Sequence, residues 1–263
     1  MTLSSVLSFR RKTGRCGFVP FLIAGDPSLS FTNRFLKALS QSGADIVEVG
    51  VPFSDPVADG PAIQAAGQRA LAGGATLKKI LSRLRALRAG GWDTPVILFT
   101  YLNPILSLGI ENFARACAES GVQGVLAVDL PFEEAGPLLA ALKKRGVEPV
   151  LLASPTTSDR RLKAIGRASG SLVYYVSREG VTGVRRGLAP GLAERLRKVR
   201  RLTGKALIVG FGVAERAQAR RLAPHADGVV VGSALVDAAA RASGVAAAER
   251  ALRAKAREIV AGL

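Results

Sequence analysis

The chain has 263 residues, 48% hydrophobic and 22% charged, with a mean hydropathy of +0.25, a balance that excludes a disordered polymer and supplies a large core. No apolar run reaches the roughly 18 residues a membrane-spanning helix needs, and Arg10, Arg11, Lys12 and Arg15 follow the first apolar residues, the reverse of a secretory signal, so a cytoplasmic location is expected. The net charge of +17 opens the question of a polyanionic partner, but one Trp and three Tyr are too few to interleave with the basic runs, and nucleic acid is not the expected ligand.

In chain order, short β-branched runs at 17–24, 45–51, 95–101, 124–129, 148–153, 172–177, 206–210 and 227–231 predict strands. Each is followed by a helical pattern, at 31–40, 76–89, 110–120, 133–144, 158–168, 191–201, 214–222 and 234–241. Eight βα units in a chain of this length predict the α/β class and a closed (β/α)8 TIM barrel of parallel strands, with its active site at the C-terminal face. An open doubly wound sheet would carry G-x-G-x-x-G after its first strand, where Ala24-Gly25-Asp26-Pro27 stands instead. No linker or low-complexity tract divides the chain, so residues 1–263 are expected to form one domain. The charge is uneven, +4 through Leu130 and +13 from Pro131 onward. The arginines responsible alternate with apolar positions such as Leu192, Leu196, Val199 and Leu202, the pattern of solvated helix faces.

Polar residues at strand ends are where such a barrel puts its chemistry. Alternation along the second strand puts Ile46, Glu48 and Gly50 on one face and Asp45, Val47 and Val49 on the other. Glu48 thus sits in an apolar run, where burial raises a carboxyl pKa toward the range useful for proton transfer. The loop 52–61 brings Asp55 and Asp59 to the same rim; a second, ionised carboxylate suits acid and base work, though turn formation by Asp-Pro and Asp-Gly explains both residues as well. The sixth strand exits into a segment with Thr182 and Gly183 that reads as a lid, and Gly210-Phe211-Gly212 and Gly232-Ser233 end the last two strands, where barrels hold a substrate phosphate. No lysine ends a predicted strand, which argues against a Schiff-base aldolase. With His225 alone and two isolated cysteines, Cys16 and Cys117, no metal site and no disulfide is expected. The residues thus point to carboxylate acid and base catalysis on a small phosphorylated substrate without a cofactor.

Three motifs then carry a resemblance: Phe18-Val19-Pro20-Phe21 with Gly25-Asp26-Pro27, the run from Glu48 to Gln64 that contains Pro52-Phe53-Ser54-Asp55-Pro56-Val57-Ala58-Asp59-Gly60-Pro61, and Ser177-Arg178-Glu179-Gly180-Val181-Thr182-Gly183. The chain resembles tryptophan synthase alpha subunits across essentially the whole barrel. The resemblance implies a lyase that cleaves indole-3-glycerol phosphate by a retro-aldol step to indole and D-glyceraldehyde 3-phosphate. It implies Glu48 as acid and base and Asp59 as the holder of the indole N–H. Tyr174 would stand beside Glu48, and Thr182 would reach Asp59 on closure. Gly183, Gly212, Gly232 and Ser233 would bind the phosphate, while Phe21, Leu126 and Phe211 would enclose the indole.

It further implies a beta-subunit partner in an alpha2beta2 heterotetramer, with Asp55 on the partner side of the 52–61 loop. Pyridoxal phosphate would be confined to that partner, and this chain would carry no cofactor. A stand-alone lyase releasing free indole, and more remotely a polyanion-binding barrel without activity, are the competing readings. A sequence pI near 11 is unusual for the family, and bears on the docking surface rather than on the chemistry.

Overall fold

Parallel strands dominate the computed structural model, which describes residues 2–176, 191–210 and 212–263. They are β1 (Gly17–Ile23), β2 (Val47–Gly50), β3 (Val96–Thr100), β4 (Gly124–Ala127), β5 (Glu148–Pro149), β6 (Leu151–Ala153), β7 (Leu172–Val176), β8 (Ala206–Gly210) and β9 (Gly228–Val231). Their order is β5-β4-β3-β2-β1-β9-β8-β7-β6. The two ends of that order are successive pieces of one strand: β5 pairs with β4, β6 pairs with β7, and Val150 lies between them. The sheet therefore closes as the expected (β/α)8 barrel. The break has a local cause, since Pro149 has no N–H to give the ladder; Val150 restores the contact by donating to the Val125 carbonyl at 2.8 Å.

Alternation divides the apolar side chains into two layers. Val19, Phe21, Ile23, Ile46, Ile97, Leu126, Leu172, Tyr174, Ile208 and Val230 fill the barrel. Phe18, Leu22, Val47, Val49, Leu98, Val125, Val173, Leu207 and Val229 point outward, against helix residues such as Leu36, Leu39, Leu84 and Phe113. A one-residue slip of β2 would exchange these faces, removing Val47 and Val49 from a dry layer that stabilises each by roughly 1.5–3 kcal/mol. It would also take Glu48 out of the barrel, so the packing of its neighbours fixes where that carboxyl points.

The eight predicted helical patterns all form, no end shifting by more than three residues, and four further α-helices appear among the described residues: α1 (Leu3–Lys12), α3 (Pro61–Ala72), α5 (Leu102–Leu108) and α12 (Val245–Val260). Among the predicted ones, α9 (Leu192–Thr203) buries Leu192, Leu196 and Val199 and leaves Arg197 and Arg201 exposed, the solvated-face arrangement its spacing predicts. Helix α1 plugs the bottom of the barrel with Leu3 and Leu7, both fully buried in the inner layer.

Three carboxylates tie that floor together. Glu148 accepts from the backbone N–H groups of Leu3 at 2.9 Å and Ser171 at 2.6 Å. Asp45 accepts from Phe18 N at 2.9 Å and pairs with Arg10. Asp227 accepts from Leu207 N at 2.7 Å and from Arg11 and Arg200, each at 2.9 Å. Each satisfies an N–H at the start of an element, and the arginines hold α1 and α9 to the same end. Cys16 and Cys117 are free and buried. No helix among the described residues is long and apolar enough to cross a membrane.

Candidate active site

A cavity of about 670 Å³ opens at the C-terminal ends of the strands. Glu48 enters it from β2, 1% exposed, in register with Phe21 of β1 and Ile97 of β3. Its Oε1 finds no hydrogen-bond partner among the described residues. Burial, and secondarily the charge of Asp59, pushes its pKa up to about 8. A buried carboxylate with an oxygen that no donor reaches is costly, so burial favours the protonated form, which can give its proton away.

Asp59 reaches the same cavity from the loop between β2 and α3. That loop ends in Gly60 and Pro61, the N-cap and first residue of α3, where a missing N–H does no harm. It is folded on itself by Val57 N to Asp55 O at 2.9 Å and Asp59 N to Pro56 O at 3.0 Å. The Tyr101 hydroxyl donates to Asp59 Oδ2 at 3.0 Å and accepts from Ala58 N at 3.2 Å. Burial raises the Asp59 pKa, and the Tyr101 hydrogen bond opposes the rise. Asp55 is exposed, accepts from the Ser54 hydroxyl at 2.5 Å and does not line the cavity.

Tyr174 of β7 lines the same cavity, its phenol pKa raised by burial and, secondarily, by Glu48. Two glycines make the space these side chains occupy. A Cβ at Gly50 would come within 2.6 Å of the Phe21 ring, and one at Gly210 within 2.5 Å of the Tyr174 hydroxyl. Phe21 meets Phe99 edge to face, with ring centroids 5.5 Å apart.

At β4, Leu126 lies beneath the cavity surface. It is fully buried in the inner layer, and the exposed wall at that strand is formed by Ala127 and Val128. Gly212, Gly232 and Ser233 line the cavity, and Ser233 opens α11 (Ser233–Ala240), whose first N–H groups lack helical acceptors. Thr182, Gly183 and Phe211 lie outside the described residues, as does the predicted lid. Tyr101 is the site residue that the sequence reading missed. Its signal was available, since an aromatic hydroxyl at the C-terminal end of the third predicted strand passes the same positional filter that selected Glu48.

The family model for the tryptophan synthase alpha chain matches residues 7–262. The chain belongs to the tryptophan synthase alpha chain family. Tryptophan synthase alpha chains of Phenylobacterium zucineum (49% identity over 231 residues, 88% of this chain and 83% of that one) and Picosynechococcus (47% over 227, 86% of each) are among its relatives. Solved structures agree. One of Mycobacterium tuberculosis tryptophan synthase superposes with a TM-score of 0.89 at 37% identity, covering 99% of this chain and 97% of that one. The tryptophan synthase a2b2 complex of Pyrococcus furiosus gives 0.86 at 39%, covering 92% and 97%. The tryptophan synthase alpha chain is a carbon–carbon lyase that cleaves indole-3-glycerol phosphate, and membership carries that activity to this enzyme. Neither the stand-alone lyase nor the polyanion-binding barrel gains support from these relatives.

Proposed function

We propose that Glu48 and Asp59 carry the retro-aldol cleavage between them. The observation that carries this reading is the fully buried Glu48, its Oε1 without a donor among the described residues, facing the same cavity as Asp59. Glu48 gives its proton to the indole ring carbon that bears the glycerol chain. Asp59, ionised, accepts the ring N–H and stabilises the cation that forms. The Glu48 carboxylate then takes the proton of the neighbouring glycerol hydroxyl. As that oxygen becomes the aldehyde carbonyl, the carbon–carbon bond breaks and its electrons return to the ring, giving indole.

Tyr174 packs beside Glu48 and restricts where it can swing. The N–H groups at Gly212, Gly232 and Ser233 take the phosphate and Phe21 borders the indole, backed by Leu126; the family resemblance assigns Gly183 to the phosphate, Phe211 to the indole and Thr182 as a partner of Asp59. Neither proton transfer calls for a cofactor in this chain; pyridoxal phosphate belongs to the beta subunit.

The working form is an alpha2beta2 heterotetramer in the cytoplasm, with residues 1–263 as one domain and indole passing to the partner. The a2b2 relative from Pyrococcus furiosus supports such a partner. The test is indole release from indole-3-glycerol phosphate by the purified chain, alone and with a tryptophan synthase beta subunit. Weak activity that rises sharply with the partner is expected. High activity alone would overturn the dependence on a partner, and none in either case would overturn the chemistry.

A further inference from the structure

We infer that Tyr101 is a positioning residue for this reaction, its phenol holding the Asp59 carboxylate in place and ionised before substrate arrives. The inference rests on the role proposed for Asp59.

The geometry gives the phenol one orientation. Ala58 N donates to the Tyr101 oxygen at 3.2 Å, which directs the hydroxyl proton toward Asp59 Oδ2 at 3.0 Å. The ring that carries the hydroxyl cannot turn away. Tyr101 is 1% exposed, stacked on Phe53 with centroids 4.9 Å apart and planes inclined by 28°, and edge-on to Phe99 at 6.3 Å. Because Tyr101 follows β3 directly, the barrel wall reaches across to a loop carboxylate and fixes it. From the other side, Gln64 Nε2 of α3 donates to the Asp59 carbonyl at 2.8 Å, so main chain and side chain are held by different elements.

The electrostatics say why a neutral donor matters here. Among the described residues no Lys or Arg pairs with Asp59, and Tyr101 is the one donor to its carboxylate. The titratable groups facing this corner are Glu48 from β2, Tyr101 itself, and Asp129 beyond β4, whose Oδ1 accepts from Leu102 N at 2.8 Å. None of them is a cation. Desolvation therefore pushes Asp59 toward its neutral form, and the phenol hydrogen bond opposes it. Burial and the Asp59 charge raise the phenol's own pKa, so Tyr101 remains a donor wherever Asp59 is ionised.

Tyr101→Phe keeps the ring contacts and removes the donor. In the full-length chain labelled with carboxyl-13C aspartate, the Asp59 signal, assigned by its loss in Asp59→Asn, is expected to titrate about one pH unit higher in Tyr101→Phe. The acid limb of kcat/KM should move by the same amount and direction, with kcat at neutral pH down about tenfold and KM within about twofold. Adding Tyr101→Phe to Asp59→Asn should then cost nothing further.

An unmoved Asp59 titration would overturn the inference, as would an equal loss from Tyr101→Phe in both backgrounds. An Asp59→Asn enzyme with wild-type turnover would instead overturn the chemistry assigned to Asp59. The carboxyl titration separates the two failures, because it is read without turnover.

Discussion

The Gly210 backbone and the Tyr174 hydroxyl are close enough that a single methyl on the glycine would stand 2.5 Å from the phenol oxygen. In Gly210→Ala, Tyr174 must therefore shift into the cavity or drag β7 from β8. Overpacking of this kind costs about 1–3 kcal/mol. Denaturant unfolding should show that loss. The displaced phenol also meets Glu48, so kcat/KM should fall about tenfold or more, each tenfold step being about 1.4 kcal/mol of transition-state stabilisation. Wild-type kinetics in this variant would mean that Tyr174 has room the structure does not display.

Glu48 makes stability depend on pH in a defined direction. Its pKa in the folded chain is about 8, against an ordinary value of 4.5, so the folded state binds the proton more tightly than the unfolded one. The contribution is complete below about pH 4.5 and is lost as pH rises through about 8. Glu48→Gln cannot titrate there. Measured at pH 5 and again at pH 8.5, wild type should lose several kcal/mol relative to Glu48→Gln. A constant difference between the two proteins would show that Glu48 is ionised in the fold. The same variant should retain substrate affinity while losing cleavage by about 100-fold or more, as expected on removing a general acid.

Glu148 serves stability at the opposite end of the barrel. Its two oxygens accept the N–H groups of Leu3 and Ser171, which begin α1 and approach β7. Glu148→Ala leaves both donors without their acceptor and should cost about 2–4 kcal/mol. Hydrogen exchange should locate the loss at α1 and the start of β7. Indole release under conditions where the variant is folded should be unchanged, since the cavity lies at the other rim.

The net charge of +17 predicts a correspondingly acidic beta subunit and an association with it that weakens as salt is added. At an ionic strength near 0.15 M the screening length is about 8 Å, so steering by exposed arginines fades as salt is added. Titration calorimetry from about 0.05 M to about 0.5 M salt should show Kd rising about tenfold. An unchanged Kd would assign docking to apolar contacts alone.

The barrel was legible in the sequence wherever burial imposes a period. Alternation through Ile46, Glu48 and Gly50 puts the carboxyl inside, and the inner layer does contain Ile46 with Glu48 opening into the cavity. Helices α1 and α3 were not legible, because the apolar side chains of α3 are mostly alanines and α1 is largely Ser, Arg and Lys, so that their stability comes from burial against the barrel: Leu3 and Leu7 in its floor, Ile63 and Ala66 at its rim. The change of partner within 148–153 depends on which neighbour each half meets, information that no local pattern holds. Tyr101 was passed over because its partners, Asp59 and Ala58, are 42 and 43 residues away in sequence.

Glu48 has a consequence for turnover as well. A carboxyl 1% exposed trades protons slowly with bulk water, which would stall an enzyme that had to reload from solvent each cycle. In the proposed cycle the substrate does the reloading, since the hydroxyl proton it surrenders replaces the one its ring received. The acid leaves each round in the state in which it entered, and seclusion from water becomes compatible with repeated catalysis.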